Sequence, residues 1–150
     1  MTPDMKRILV IDDDMQINEL VGKVLVRAGY QVRTAANGED GLAILTEFAA
    51  DLMIVDKNLP RMHGAEVIRE ARRRFPFIAV ILITAFPEPF AMGPERLNGY
   101  LGKPFKNLKA IEDAVLAALD SADEIRRRDE LRSRLSQVVA DLTPGAKRRP

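Results

Sequence analysis

Lys6-Arg7-Ile8-Leu9-Val10-Ile11-Asp12-Asp13-Asp14 sets four consecutive apolar residues between a basic pair and three aspartates. A strand with one wet face alternates apolar and polar residues. A run without alternation suits a strand buried on both faces, as in a parallel sheet covered by helices. Two further stretches share this form. Residues 52–55 lie between Asp51 and Asp56, and residues 77–83 form the third and most β-branched run. Residues 30–35 and 100–102 are weaker candidates, better suited to sheet edges.

Helical patterns separate these runs. Ile17, Leu20, Val21, Val24 and Leu25 recur at three- and four-residue spacing, with Asp14 placed to cap the start and Gly29 to stop the end. Asn37 is the cap expected for a second helix carrying Leu42, Leu45 and Phe48. Residues 65–75 read as a third, with Val67, Ile68 and Ala71 inward and Arg69, Arg72 and Arg73 outward. Residues 108–119 read as a fourth. Strand and helix in alternation predict an α/β fold with helices on both sheet faces. Residues 85–98 should carry a helix between the fourth and fifth strands, yet hold Pro87, Pro89, Gly93 and Pro94. Proline inside a helix costs about 3 kcal/mol, so at most one or two turns, or irregular loop, are expected there.

Composition narrows the class. The 150 residues are 47% apolar and 30% charged, enough for one domain with a real core and a short appendage. Lys plus Arg 23 against Asp plus Glu 22 argues against a chain that coats nucleic acid. With no cysteine there is no disulfide framework, thiolate metal site or cysteine nucleophile. The apolar runs are too short for a signal peptide or a membrane span, so a soluble, cytoplasmic protein is expected. Residues 121–150 carry eight basic and five acidic groups, leaving the first 120 slightly acidic. Leu131, Leu135, Val138 and Leu142 follow a 4-3-4 spacing, the seam of a coiled coil, though two heptads are few for stable pairing. Thr143-Pro144-Gly145 should end that helix and leave residues 144–150 disordered.

The chemistry gathers where the strands end. Asp12 and Asp13 follow the first strand, Asp56 the third, Thr84 ends the fourth, and Lys103 follows the fifth. In open parallel sheets the loops after the strands form the binding crevice. At about 4 Å, each pair of like charges costs roughly 4 kcal/mol at an effective dielectric near 20. Such a cluster needs a cation, and an all-oxygen set favours Mg²⁺, Ca²⁺ or Mn²⁺. A lysine and a hydroxyl at the same rim supply what a phosphoryl group needs, and a carboxylate can itself accept one as an acyl phosphate.

These residues, with Asp51-Leu52-Met53-Ile54-Val55-Asp56-Lys57-Asn58-Leu59-Pro60, Ile83-Thr84-Ala85 and Lys103-Pro104-Phe105, resemble the receiver domain of two-component response regulators. The likeness covers about residues 6–120, with residues 121–143 as a helical extension or linker. It implies a flavodoxin-like five-stranded parallel sheet in the order 2-1-3-4-5. It further implies Asp56 as phosphoacceptor, with Mg²⁺ (or Mn²⁺) held by Asp12, Asp13, Asp56 and the backbone carbonyl of Asn58. Thr84 would be the hydroxyl that moves to the phosphoryl group, Lys103 its ionic partner, and Tyr100 the aromatic that turns inward on activation. A cis Lys103-Pro104 bond is also implied. The implied partners are a sensor histidine kinase or phosphotransfer protein, a downstream protein and, through the 4-3-4 seam, a second copy of the chain. The family tunes self-hydrolysis at the positions of Asn58 and Phe86, and an aromatic at the second should lengthen the phosphoryl lifetime.

Bland readings stand beside these. Alone, Asp12-Asp13-Asp14 would be a solvated turn, Asp56 a turn former, Thr84 a strand end, Tyr100 half-buried core and Lys103 a surface charge; their joint placement carries the evidence. His63 before Gly64 reads as structural or inert. Lys57 is a solvated side chain or extra positive charge at the phosphoryl entrance, and the arginine runs 72–74 and 126–128 are exposed faces. The chain reads as a stand-alone receiver or as a piece of a longer DNA-binding regulator or hybrid kinase. A degenerate receiver used as scaffold is the third option, against which the intact Asp, Thr and Lys set argues. Asp12-x-Asp14 after a strand also resembles haloacid dehalogenase-type phosphatases, but Gln16 stands where that pattern has Thr or Val.

Overall fold

The computed structural model describes residues 5–85 and 96–143. Five strands, β1 (Arg7–Ile11), β2 (Gln31–Ala35), β3 (Leu52–Asp56), β4 (Ala79–Thr84) and β5 (Gly99–Gly102), pair in parallel in the order β2-β1-β3-β4-β5. The unbroken apolar runs occupy the three central places, where every residue of β3 and β4 is buried. The weaker β2 and β5 lie at the edges, as their mixed composition implied. Among the described residues four helices cover the sheet: α1 (Met15–Arg27), α2 (Gly38–Phe48), α3 (Gly64–Arg74) and α4 (Leu108–Leu142).

Successive strand residues point to opposite faces, and this divides the core in two. Ile8, Val10, Ile54 and Ile81 pack with α1 and α4. Leu9, Ile11, Met53, Val55 and Val80 pack with α2 and α3. Side-chain caps start three of the helices. Asp14 accepts from the Gln16 N–H, Asn37 from Asp40 and Asn107 from Ala110, each contributing about 1 kcal/mol. His63 stands at the N-cap of α3 without a side-chain cap bond.

Register brings the strand ends level. Ile11 pairs with Val55, and Asp56 with Ile83. Beyond the last pairs, the Asp12 N–H donates to Ala35 O, Lys57 N–H to Ile83 O and Lys103 N–H to Thr84 O. The residues following β1, β3 and β5 are thus pinned to neighbouring strands at one edge. The Lys103-Pro104 peptide is cis.

Three expectations change. Leu20, expected within the buried stripe of α1, is partly exposed. Arg72, expected to face solvent, is half-buried: its Nε donates to Ile78 O at 3.0 Å and a terminal nitrogen to Asn98 Oδ1 at 3.1 Å. Burial, with Arg96 nearby, lowers its pKa to about 10. The helix beginning at Leu108 does not stop near residue 119 but runs on to Leu142. The proline-rich stretch lies largely outside the described residues, as do Phe86 and the tail 144–150.

Arg72→Ala is expected to cost about 1–3 kcal/mol in denaturant unfolding, because Ile78 O loses the guanidinium, Asn98 Oδ1 is left with Val80 N–H alone, and the packed side chain is removed. Arg73→Ala, on the exposed side of the same helix, should stay within about 0.5 kcal/mol. Equal losses in the two variants would contradict a buried role for Arg72.

Candidate functional site

The three consecutive aspartates do three different things. Asp12 is fully buried at the end of β1. Its Oδ1 accepts the Asp14 N–H at 2.9 Å, and its Oδ2 lies 2.9 Å from Lys103 Nζ. Asp13 is exposed on the rim, and Asp14 turns away to cap α1. Asp56, also buried, ends β3. Its Oδ1 accepts the Asn58 N–H at 3.2 Å, and its Oδ2 is 3.4 Å from the same lysine nitrogen. One oxygen each of Asp12, Asp13 and Asp56 lies within 4.8 Å of the others.

Lys103 reaches this notch from the end of β5, which the bond to Thr84 O fixes. Thr84 is buried at the end of β4, on the same rim. Tyr100 sits two residues before the end of β5, opposite Leu82, half-buried against the α2–α3 side of the core. Asn58 is exposed in the loop after Asp56.

The electrostatics follow from burial. Desolvation raises the Asp12 carboxyl above its ordinary value, and the Asp56 charge adds to it. The Asp14 N–H and Lys103 oppose that rise without cancelling it. For Lys103, burial acts downward, but Asp12 and Asp56 outweigh it and hold the ammonium above its ordinary value. Ionised Asp12 is therefore held at a cost, whereas Lys103 is held as a cation. An all-oxygen donor set, open to solvent at Asp13 and carrying more negative charge than one lysine balances, suits a hard divalent cation such as Mg²⁺.

Two supporting residues escaped the sequence reading. Asn18 is buried on the apolar face of α1, and its Nδ2 donates to Asp12 O at 2.8 Å and to Ala35 O at 3.1 Å. It fixes the backbone that carries the buried aspartate. An amide in line with Val21 and Leu25 on a buried stripe was the available signal. Gly64 lets α3 approach the acceptor loop: a Cβ there would stand 2.6 Å from the Asp56 carbonyl oxygen. Beside Lys103, an apolar groove of about 610 Å³ is lined by Ile17, Leu20, Pro104, Phe105 and Leu108.

Comparison with known proteins places this arrangement. Residues 8–115 match the family model described as the response regulator receiver domain. The chain is 34% identical over 113 residues to sporulation initiation phosphotransferase F of Bacillus subtilis, covering 73% of this chain and 90% of that protein. It is 32% identical over 144 residues to the alkaline phosphatase synthesis transcriptional regulatory protein PhoP of Bacillus subtilis, covering 91% of this chain and 59% of the regulator. The structure of chemotaxis protein CheY4 of Vibrio cholerae superposes with a TM-score of 0.70 at 30% identity, covering 77% of this chain and 99% of that one. Against several transcriptional regulators the chain spans from 28% to 60% of their length.

Asp12→Asn keeps the shape and removes the disfavoured charge. It should raise the metal-free melting temperature by roughly 3–8 °C at neutral pH, about 1–2 kcal/mol. Because the pKa of Asp12 is raised in the folded state, this gain should fade as acidification protonates the wild-type carboxyl. Millimolar Mg²⁺ should raise the melting temperature of the wild type and leave that of the variant nearly unchanged. Calorimetry across pH and Mg²⁺ concentration checks both; a variant less stable than the wild type without metal would contradict the account.

Proposed function

The chain belongs to the response-regulator receiver family, and on that premise we propose that it is a phosphorylation-dependent signalling switch with Asp56 as its phosphoacceptor. The observation that carries this reading is the convergence of Asp12, Asp13, Asp56 and Lys103 in one notch. The donor is the phosphohistidine of a sensor histidine kinase or phosphotransfer protein. An Asp56 oxygen attacks phosphorus in line; its O–P bond forms as the P–N bond breaks and histidine leaves. Lys103, shared beforehand between two carboxylates, neutralises charge on the arriving oxygens. Asp12, Asp13, Asp56 and the Asn58 carbonyl would hold Mg²⁺, which would supply further positive charge for the phosphoryl oxygens. The groove lined by Leu20, Phe105 and Leu108 opens beside the notch and gives the donor an apolar surface to rest on.

The transferred group adds negative charge and three acceptor oxygens. The Thr84 hydroxyl turns toward it, Tyr100 fills the vacated space, and the surface around β5 and α4 changes for a downstream protein. Residues 6–120 act as the receiver, residues 121–143 as a helical extension, and the setting is cytoplasmic. Turnover is limited to slow self-dephosphorylation. Partial coverage of the transcriptional regulators favours a second reading, the receiver portion of a longer DNA-binding regulator or hybrid kinase.

With acetyl phosphate and Mg²⁺, intact-mass measurement should show one phosphoryl group, labile to base, on the wild type and none on Asp56→Ala. Lys103→Met should accept it at least about tenfold more slowly. Labelling of Asp56→Ala equal to wild type, or steady turnover of a phosphomonoester, would overturn the reading.

A further inference from the structure

The distal part of α4 has a surface that the other described residues do not cover. The helix leaves the sheet at its base, at the edge opposite the acidic notch, and is strapped there twice. Ser121 Oγ accepts from Asn98 Nδ2 at 3.3 Å, and the Arg126 guanidinium lies 5.8 Å from the centre of the Phe77 ring. Asn98 in turn holds Val80 N–H and Arg72, so the exit of the helix is tied into the half-buried network between α3 and β4. Beyond Arg126 the residues are exposed as far as Val139. This arm is about 24 Å long at 1.5 Å per residue, near the length at which an isolated helix is marginal in water. Yet it exposes more than half of each of Leu131, Leu135, Val138, Val139 and Leu142 along one stripe.

We propose that this stripe is the interface of an antiparallel dimer, its occupant the same arm of a second copy of this chain. The charges beside the seam choose both the occupant and its direction. With Leu135 and Leu142 at a and with Leu131 and Val138 at d, the g positions are Arg127, Arg134 and Asp141, and the e positions are Ile125, Arg132 and Val139. A parallel pair sets Arg127 against Arg132 of the other copy on both sides and stacks Arg128 on Arg128 in the seam. An antiparallel pair about the two-fold axis sets Arg127 opposite Asp141 and Ile125 opposite Val139, each twice. It also interleaves Leu131 with Leu135 and separates the two Arg128 side chains. Like charges meet there only at Arg132 and Arg134, near the axis. Antiparallel pairing thus replaces the Arg127–Arg132 contacts and the Arg128 stack of the parallel pair with two Arg127–Asp141 contacts, and the charges favour that direction. Within each arm Arg128 is already neutralised by Glu124 at 2.8 Å. The proposal rests on the seam alone and does not depend on Asp56 accepting a phosphoryl group.

The test uses the full chain in sedimentation equilibrium, with and without Mg²⁺ and beryllofluoride. The wild type should pass from 16.8 kDa to twice that mass with a dissociation constant of roughly 1–100 μM. Leu135→Glu should weaken association at least about fiftyfold while leaving the melting temperature of the dilute monomer unchanged, since that side chain is 58% exposed and lies outside both core clusters. Direction is read by single cysteines in a chain that has none. Arg134→Cys, near the axis, should form a disulfide between copies under mild oxidation, and Leu142→Cys should not. A monomer in both states, or unchanged association in Leu135→Glu, overturns the dimer; preferential cross-linking at Leu142→Cys overturns the antiparallel arrangement.

Discussion

Everything at the carboxyl edge of the sheet depends on one lysine held between two buried carboxylates. Asp12 and Asp56 end adjacent strands whose pairing leaves them no room to separate. Two such charges in a poorly solvated notch repel by about 3–4 kcal/mol, and burial alone disfavours each. Lys103 at 2.9 and 3.4 Å offsets part of this. The remainder is tolerable because the central strands beneath, β1, β3 and β4, are packed by apolar side chains on both faces. A packed core can hold a strained site in place.

This constraint also explains the supporting cast. The backbone of Asp12 is fixed three ways: by the strand ladder, by Ala35 O and by the Asn18 amide. The backbone of Asp56 is crowded from the other side by α3, which only glycine at position 64 permits. Neither residue touches the reacting atoms, yet each removes a direction in which repelling carboxylates could relax. Rigid strand ends thus convert repulsion into readiness for a cation.

Much of this was legible in the sequence because it rests on local chemistry. Unbroken apolar runs marked the buried strands, three caps marked helix starts, and acids after strands marked the edge. Arg72 was not legible. It adjoins Ile68 and Ala71 on the helix surface, and its charge argued for solvent; what buries it are Ile78 O and Asn98, which lie elsewhere along the chain. Asn18 was missed for the same reason, since its partners are the carbonyls of Asp12, just past β1, and of Ala35 in β2. The length of α4 was readable only as two pieces. A shift in charge near residue 120 looks like a boundary, but without glycine or proline the backbone has no cause to stop.

The placement of Lys103 also bears on how a charge at Asp56 would be felt elsewhere. Its ammonium serves two carboxylates, while its backbone N–H is bound to Thr84 O at the end of β4. A new anion on Asp56 competes for that ammonium, so a change in the notch is a change in the forces at the end of β5. Tyr100 lies on the same short edge strand, only half-buried and therefore cheaper to move than any side chain of β3 or β4. At the base of the sheet, Asn98 just before β5 bonds Ser121 of α4. One edge strand of four residues thus connects the acidic notch at one end to the root of the helical arm at the other. An edge strand has a partner on one side alone, and a shift there breaks the fewest contacts.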